Sequence, residues 1–319
     1  MTVTGTNTFT RNKNQVIELS YGCIGALSEG QELTNFQITR ASELLNLMLK
    51  SWMAKGYRLW KQSRGYLFVE PSVNEYILDG VTANATENYN ATTLTVDAAS
   101  GASTITVAST TGFVSGYNVG VVLNDNSIFW TTQNGAPVGN VITLTDVLPS
   151  EASQNNAVYV YQTKLGKLEN IMNAQAQLNS TTKIPLQINS RDTYDSFSIP
   201  SLTGIQNKLY YNKLLDKGII RLFPTPSTAG YIVEFTFQKQ FFDMTNPLDS
   251  FDFPTEWLKA IYLNLAIDLH NFYPLLSDSE YQKLLNQADV ALMELSAFDD
   301  ENTSIYFQPA SDQYRGEYA

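Results

Sequence analysis

Hydrophobic residues repeat every three or four positions at both ends of the chain and every second position between them. Two segments near the start, 14–27 and 38–56, have the repeat of amphipathic helices. Two more helical segments follow position 254. Across 59–242, β-branched and aromatic residues alternate with polar ones, and Gly, Asn, Ser and Pro interrupt them, which indicates strands. The pattern predicts helices at the two ends and strands in the middle.

The two N-terminal helices differ in how much hydrophobic surface they carry. The first is predicted to bury one face, formed by Val16, Leu19, Cys23 and Ala26. The second has a longer face, formed by Ile38, Ala41, Leu45, Met48 and Trp52, and Gly56 ends it. Leu44, Leu47 and Leu49 widen that second face, so we expect this helix to be buried on two sides. One side would contact its own domain, and the other a partner or a neighbouring subunit.

The C-terminal helices are delimited by clear sequence signals. Pro254 suits the first turn of a helix, and Pro274 ends that region. The hydrophobic face of this helix consists of Leu258, Ile261, Tyr262, Leu265 and Leu269. Residues 277–280, Ser-Asp-Ser-Glu, are a capping box that begins the next helix. The acidic segment 299–319 lacks periodicity and is predicted to be an extended tail that orders on a partner. Its candidate partner-binding residues are Tyr306, Phe307, Tyr314 and Tyr318.

Short strands are predicted throughout the middle of the chain. They fall at 66–69, 75–78, 93–96, 104–107, 119–123, 127–132, 141–144, 157–161, 164–174, 208–211, 218–223 and 231–237. The last three are predicted to form one antiparallel unit. The strands within 93–161 predict a small barrel or sandwich. Residues 83–90 are predicted to be a loop, and 188–197 a polar turn leading into a short helix.

These elements predict an α+β fold. Helices at both ends of one chain are expected to pack on each other, which makes a helical core with antiparallel β regions inserted in it. The predicted domains are a helical core (1–58 and 251–298), a β-rich body (59–92 and 162–250), an inserted β module (93–161) and an extended C-terminal tail (299–319).

The charge pattern limits the kinds of partner. Charged residues are 16% of the chain, below the usual quarter, so its polar residues are mostly neutral, as is common in extracellular and virion proteins. The net charge is −11, and residues 71–163 contain no Lys or Arg. Tight nucleic-acid binding needs clustered basic residues, and the sequence has no such cluster. We therefore expect no tight binding to DNA or RNA. An acidic wall would instead let a duplex slide past. No hydrophobic run approaches about 18 residues, so we expect no membrane span, and residues 1–10 lack signal-peptide features.

Catalytic chemistry has few candidate residues. Cys23 is the single cysteine and His270 the single histidine, too few for a zinc site or a nucleophile with its base. No phosphate-binding or dinucleotide-binding glycine motif is present. We therefore expect no enzyme, no cofactor and no metal. Trp130 and Asp125 could form a carbohydrate site in the β module, although core packing is the commoner role of a strand tryptophan.

Three segments together resemble the head-to-tail adaptor proteins of short-tailed bacteriophages. The first is 15–56, a helix, a short polar turn and the long leucine-rich helix. The second combines Ser-Arg-Asp-Thr-Tyr at 190–194, Leu-Tyr-Tyr at 209–211 and Ile-Arg-Leu-Phe-Pro-Thr-Pro at 220–226. The third is Phe-Pro-Thr-Glu-Trp-Leu-Lys-Ala at 253–260, continuing through 264–266. Residues 93–161 lie outside the resemblance and are similar to β insertions of phage tail proteins.

The resemblance implies a structural virion protein made in the host cytoplasm. Such adaptors form a homo-oligomeric ring, usually of twelve copies, which joins the portal protein to the tail nozzle and helps retain packaged DNA. The helical core would dock on the portal, and 299–319 would reach along portal subunits. DNA would pass through the lumen without specific binding. A tail fibre or tailspike is a further implied partner of the β insertion. The alternative is a tail fibre-attachment or carbohydrate-binding tail protein.

Overall fold

The computed structural model describes residues 11–28, 30–55, 62–177, 182–197, 202–239, 246 and 256–299. The predicted α+β class is confirmed, with many strands and a few helices. Contacts within the chain divide it into two units. One, which we call the helical unit, joins Met1–Trp60 with Phe241–Ala319. The other, the β unit, is Lys61–Gln240.

The described part of the helical unit consists of four helices that share one cluster of buried hydrophobic residues. They are α1 (Lys13–Cys23), α2 (Asn35–Ala54), α4 (Trp257–His270) and α5 (Asp278–Asp299). Asn12 and Gln15 cap α1 reciprocally, with backbone-to-side-chain hydrogen bonds of 2.9 and 3.1 Å. The predicted cap of α5 is present: the Glu280 carboxylate accepts hydrogen bonds from the backbone N–H and the hydroxyl of Ser277. These bonds lower the pKa of Glu280.

The predicted buried face of α1 was right in part. Val16 is fully buried, and Cys23 and Ala26 are partly buried against the hydrophobic cluster. The prediction was wrong at Leu19, which is 39% exposed, because the buried side of the helix is centred on Ile17 and Tyr21. Ser20 is also buried there, and its hydroxyl donates to the Val16 carbonyl at 2.9 Å, which satisfies the polar group inside the helix.

An eight-stranded sheet forms most of the β unit. Its strands in spatial order are β2 (Glu75–Leu78), β14 (Gly218–Phe223), β13 (Lys208–Lys213), β11 (Lys183–Ile188), β10 (Asn170–Gln177), β16 (Ile232–Gln238), β1 (Gln62–Phe68) and β3 (Ala85–Thr86). The two edge strands β2 and β3 are close in sequence, and the Ala83 N–H donates to the Ile77 carbonyl at 3.0 Å. The sheet is therefore nearly closed into a barrel around a core that includes Leu222, Val233 and Phe235.

Three predictions about this sheet were wrong. Strand β16 does not pair with β14. It lies between β10 and β1, two strands that are distant from it in the chain and that form its hydrogen bonds on either side. The sheet is not purely antiparallel, since β11 and β13 pair in parallel. Residues 83–90 are not a continuous loop, because β3 forms there. Strand β11 was missed, and the helix predicted near 188–197 is α3 (Arg191–Asp195).

Residues 90–161 form two small sheets over one hydrophobic cluster. The larger has the order β4 (Asn90–Thr93), β9 (Ala157–Tyr161), β6 (Asn118–Val122) and β7 (Ile128–Thr132). The smaller pairs β5 (Thr104–Thr106) with β8 (Val141–Thr143). The shared cluster includes Ile105 and Ile142 of the smaller sheet and Val119 and Val158 of the larger. A further pair, β12 (Thr203–Gly204) and β15 (Thr225–Pro226), is parallel.

Candidate interaction surfaces

Helix α4 is the most buried helix of the helical unit. Its buried residues are Trp257, Leu258, Ala260, Ile261, Leu263, Leu265, Ala266 and Leu269. A helix that is hydrophobic around most of its circumference is typical of a core position. It packs against α1, α2 and α5. Among the described helices of the unit, α4 is therefore the central one.

Helices α2 and α5 both pack against α4. The Trp257 ring contacts the Trp52 ring of α2, with centroids 6.1 Å apart. Two positions further on, Lys259 lines a cavity of about 330 Å³ together with Ala291 and Glu294 of α5.

The side of α2 opposite its buried residues exposes hydrophobic side chains. Phe36 is 62% exposed and Leu47 is 65% exposed, so the predicted burial of Leu47 does not occur within the chain. The Arg40 guanidinium lies over the rings of Phe36 and Phe272, at 4.6 and 4.7 Å from their centroids. Lys50 is exposed on the same face. This outer α2 face, Phe36–Arg40–Leu47–Lys50, combines hydrophobic and cationic groups.

The side of α5 opposite its buried residues also exposes hydrophobic side chains. Leu284, Ala288 and Ala291 are buried in the unit. On the other side, Val290 is 51% and Met293 is 70% exposed. Asp289, beside them, is also exposed. We call Asp289, Val290 and Met293 the outer α5 face.

An aromatic cluster joins the barrel-like sheet to the two small sheets within the β unit. The Phe68 ring of β1 lies 5.1 Å from Trp130, 4.9 Å from Tyr159 and 5.9 Å from Tyr161, centroid to centroid. The Tyr161 hydroxyl donates to the Asn84 side-chain oxygen at 2.8 Å. Burial raises the pKa of Tyr159 to about 12. These contacts hold the insertion against the sheet from which it emerges.

The packing of Trp130 in this cluster argues against its use as a carbohydrate-binding residue. The Trp130 ring packs against Phe68 and Tyr161 and covers Gly120, so its face is occupied by the protein itself. The Asp125 carboxylate accepts hydrogen bonds from the N–H and hydroxyl of Ser127, which stabilise the β6–β7 turn. Those bonds lower the pKa of Asp125. In the structure, Trp130 packs within the aromatic cluster and Asp125 stabilises a turn.

Cys23 and His270, the other residues considered for catalysis, lie in surroundings typical of structural residues. Burial raises the pKa of the Cys23 thiol, which disfavours the nucleophilic thiolate. The His270 ring stacks on Tyr281 with centroids 4.3 Å apart. In the part of the chain that the structure describes, no group of three or more His, Cys, Asp or Glu side chains could hold a metal ion. None of the described helices is both long and apolar enough to cross a membrane.

A second cavity lies in the β unit beside α3. Its volume is about 180 Å³, and its lining includes Asn74, Tyr194, Asp195, Phe197 and Phe223. Phe197 and Phe223 stack at 4.5 Å between centroids. This cavity was not predicted, because Phe223 and Phe197 come together only through the pairing of β13 with β14.

The predicted partner-binding residues Tyr306, Phe307, Tyr314 and Tyr318 lie outside the described residues, as does Gly56. The exposed hydrophobic residues of α5 were not identified from sequence. The spacing of Phe36, Arg40 and Leu47, at four and seven positions, was the signal available for the α2 face.

Comparisons with known proteins give little similarity. No model of a protein family matches the chain. No curated protein matches it either. Among solved structures, one similar chain is VP17, a capsid protein of bacteriophage P23-77. The two share 9% sequence identity, the match covers 56% of this chain and 80% of VP17, and the TM-score is 0.12. A score this low carries no argument about fold or function.

Proposed function

We propose that this protein is a structural component of a bacteriophage particle, and within that class a head-to-tail adaptor. In this role, a ring of copies at the head–tail junction joins the portal protein to the tail nozzle and helps retain packaged DNA. The helical core of the adaptor, built from both chain ends, docks on the portal. The protein is not an enzyme and needs no cofactor.

One observation supports this proposal most directly. Helices from the two ends of the chain share a single hydrophobic cluster, and Lys61–Gln240 forms a separate unit between them. The sequence resemblance to phage adaptors implies this same order. Burial raises the pKa of the Cys23 thiol, and the His270 ring stacks on Tyr281. These surroundings are compatible with a purely structural role.

The charge distribution supports a lumen through which DNA passes without specific binding. The net charge of −11 and the absence of Lys and Arg from 71–163 leave little surface for neutralising phosphates. Repulsion between an acidic ring and DNA would allow the duplex to slide during ejection.

Binding to isolated portal rings tests the adaptor proposal. The full chain is mixed with portal rings of the phage whose genome encodes it, and the complex is examined by native mass spectrometry. The proposal predicts a stoichiometric complex, and the nozzle protein should bind to that complex and not to the bare portal. If the protein binds neither the portal rings nor the nozzle protein, the proposal is contradicted.

A second candidate function is attachment of a tail fibre or tailspike through the small β sheets. The observation that favours it is exposed hydrophobic surface: Val96, Val114, Val138 and Val147 are 53%, 49%, 79% and 55% exposed. A pull-down of the phage's fibre and tailspike proteins by the full chain, compared with a Val138→Asp variant, tests this. Equal capture by both proteins would argue against attachment at Val138, and absence of capture would remove the candidate.

A further inference from the structure

We infer that this protein binds the surface of an anionic lipid bilayer through two hydrophobic loop tips of the β unit. The two tips are the loop 79–82, which follows β2, and the turn 214–217, which joins β13 to β14. The contact is peripheral, and it does not depend on the proposed adaptor role.

The two tips lie side by side at one end of the barrel-like sheet. The loop after β2 and the turn before β14 adjoin Leu78 and Gly218, which pair directly across the two strands. The segment 164–167 lies against both tips, because one of its carbonyls accepts a hydrogen bond from the Gly80 N–H and Lys167 donates to the turn. The three pieces of chain therefore form one rim of the sheet.

Each tip presents a hydrophobic side chain to solvent. Leu215 is 87% exposed, the largest value for a large hydrophobic residue in the described part of the chain, and Val81 is 74% exposed. Leu214, next to Leu215, is 38% exposed. Removing such side chains from water is favourable, and exposed hydrophobic groups among polar ones are typical of interaction sites.

Two lysines of the 164–167 segment pair the backbone carbonyls of those same tip residues. Lys164 Nζ donates to the Val81 carbonyl at 2.8 Å, and Lys167 Nζ donates to the Leu215 carbonyl at 2.9 Å. A carbonyl that leaves water without a hydrogen-bond partner costs free energy, in a bilayer as in a protein core. The carbonyl of each residue that would enter the lipid is therefore already satisfied by the protein.

Backbone N–H groups of the tips are paired as well. The Asp79 carboxylate accepts hydrogen bonds from the Val81 N–H at 2.8 Å and the Thr82 N–H at 2.6 Å. In the other tip, the Leu214 N–H donates to the Lys217 carbonyl at 3.0 Å. Tips with this much internal hydrogen bonding can lose contact with water at low cost.

The charges of the rim favour an anionic surface over a neutral one. The segments 79–82, 164–169 and 213–217 contain four lysines and three acidic residues, a net charge of +1 in a chain whose net charge is −11. An ammonium group has three N–H donors, so the lysines that bind the tip carbonyls keep donors for lipid phosphates. Basic residues beside an anionic membrane add to the attraction, and hydrophobic insertion supplies the rest.

The form of the two tips favours lipid over a protein partner. Val81 and Leu215 stand on separate loops, and a side chain that is 87% exposed has few neighbours with which to form a packed surface. The core of a specific protein interface is as closely packed as a protein interior. Fluid acyl chains, in contrast, surround a protruding side chain of any shape.

Substitutions at the tips test the inference, with matched controls elsewhere in the β unit. Val81→Asp and Leu215→Asp put a charge where a hydrophobic group would insert, and Leu215→Ser removes that group without adding a charge. Val138→Asp is the control, at a valine that is 79% exposed in the small sheets. All these side chains are exposed, so each variant should keep the wild-type thermal midpoint.

A second pair of variants tests the lysines. Lys167→Gln removes an ammonium group from the rim, whereas Lys208→Gln removes one at the other end of β13, where Lys208 lies over the Phe197 ring. The two variants have the same net charge. A difference between them therefore reports the position of the lysine and not the overall charge of the protein.

The experiment is co-sedimentation of the full chain with lipid vesicles over a range of lipid concentrations. The wild type and Val138→Asp should bind vesicles of phosphatidylcholine and phosphatidylglycerol in equal amounts more tightly than pure phosphatidylcholine vesicles, and added salt should weaken that binding. Each aspartate variant at a tip should lower the partition coefficient by roughly tenfold or more, the effect of one inserted aliphatic side chain. Lys167→Gln should lower it by about fivefold, and Lys208→Gln should leave it near the wild-type value.

Several results would overturn the inference. They are a wild type that stays in solution at every lipid concentration, tip variants that bind vesicles as the wild type does, and equal binding to neutral and anionic vesicles. A wild type that ignores vesicles but loses binding to purified portal or nozzle protein on Leu215→Asp would assign the tips to a protein contact instead.

Discussion

Trp130 covers Gly120 across the β6–β7 pair, where the two residues lie directly opposite each other. A Cβ atom added to Gly120 would lie 2.5 Å from a ring carbon of Trp130. The ring cannot move away freely, because Phe68 and Tyr161 pack against it. The glycine therefore gives the aromatic cluster the space it needs.

Gly120→Ala is expected to lower the free energy of unfolding by about 1–3 kcal/mol, the usual cost of overpacking a core. Thermal or urea unfolding of the full chain measures it. Gly166→Ala is the matched control, since its added Cβ would lie 3.9 Å from the Gly80 nitrogen, an ordinary van der Waals contact. If both variants unfold alike, Trp130 does not have the packing role described above.

Glu234 should make stability depend on pH through its cationic neighbours. Its side chain is 8% exposed, with Lys183 Nζ at 2.5 Å and Arg64 Nη1 at 3.5 Å from the carboxylate oxygens. Burial opposes ionisation, but the hydrogen bonds and charges of Lys183, Gln175 and Arg64 together outweigh it, so the pKa of Glu234 is lowered. A lowered pKa stabilises the fold above the ordinary carboxyl range, and the contribution is lost as pH falls through the folded-state value.

Lys183→Met should therefore cost about 1 kcal/mol near pH 7, a modest value because Lys183 is 41% exposed. The difference from the wild type should shrink at acidic pH, when Glu234 becomes protonated. Urea titrations at a series of pH values measure both quantities, with Lys217→Met as the control. A difference that stays constant down to acidic pH would contradict the ion-pair account.

Cys23 is expected to react slowly with alkylating reagents. Burial raises the pKa of its thiol, so the thiolate fraction near neutral pH is smaller than in the unfolded chain. Labelling kinetics with iodoacetamide in native buffer and in denaturant compare the two states. A native rate equal to or above the denatured rate would reopen the possibility of a reactive thiol.

Deletion of 299–319 is expected to weaken portal attachment while leaving the fold intact. This segment lies almost wholly outside the described residues, and the prediction comes from its acidic, aromatic sequence. Titration of portal rings with the full and truncated chains measures the affinity, and the thermal midpoint reports the fold. Unchanged affinity would show that Tyr306, Phe307, Tyr314 and Tyr318 are not portal contacts.

Local periodicity predicted several elements well. Strands β2, β9 and β14 have the predicted bounds, because their alternation and flanking turns are encoded within a few residues. The partner of β16 was not predictable in the same way, because pairing with β1 joins residues that are far apart in the chain. The burial of Ser20 in α1 was not predictable from hydrophobic residues alone, because its hydroxyl is satisfied by a hydrogen bond to the Val16 carbonyl.

The candidate surfaces were predictable only in part. The width of the hydrophobic face of α2 indicated a second contact surface, and its exposure at Leu47 agrees with a surface that is open in the single chain. The role of Trp130 depended on Phe68, which precedes it by many residues.

Electron microscopy of the phage particle, with this protein located by a fused tag, tests the central claim most directly. The account predicts a ring of tagged copies between the portal and the tail nozzle. Tagged copies in the capsid shell or at the fibre tips, with none at the head–tail junction, would contradict it.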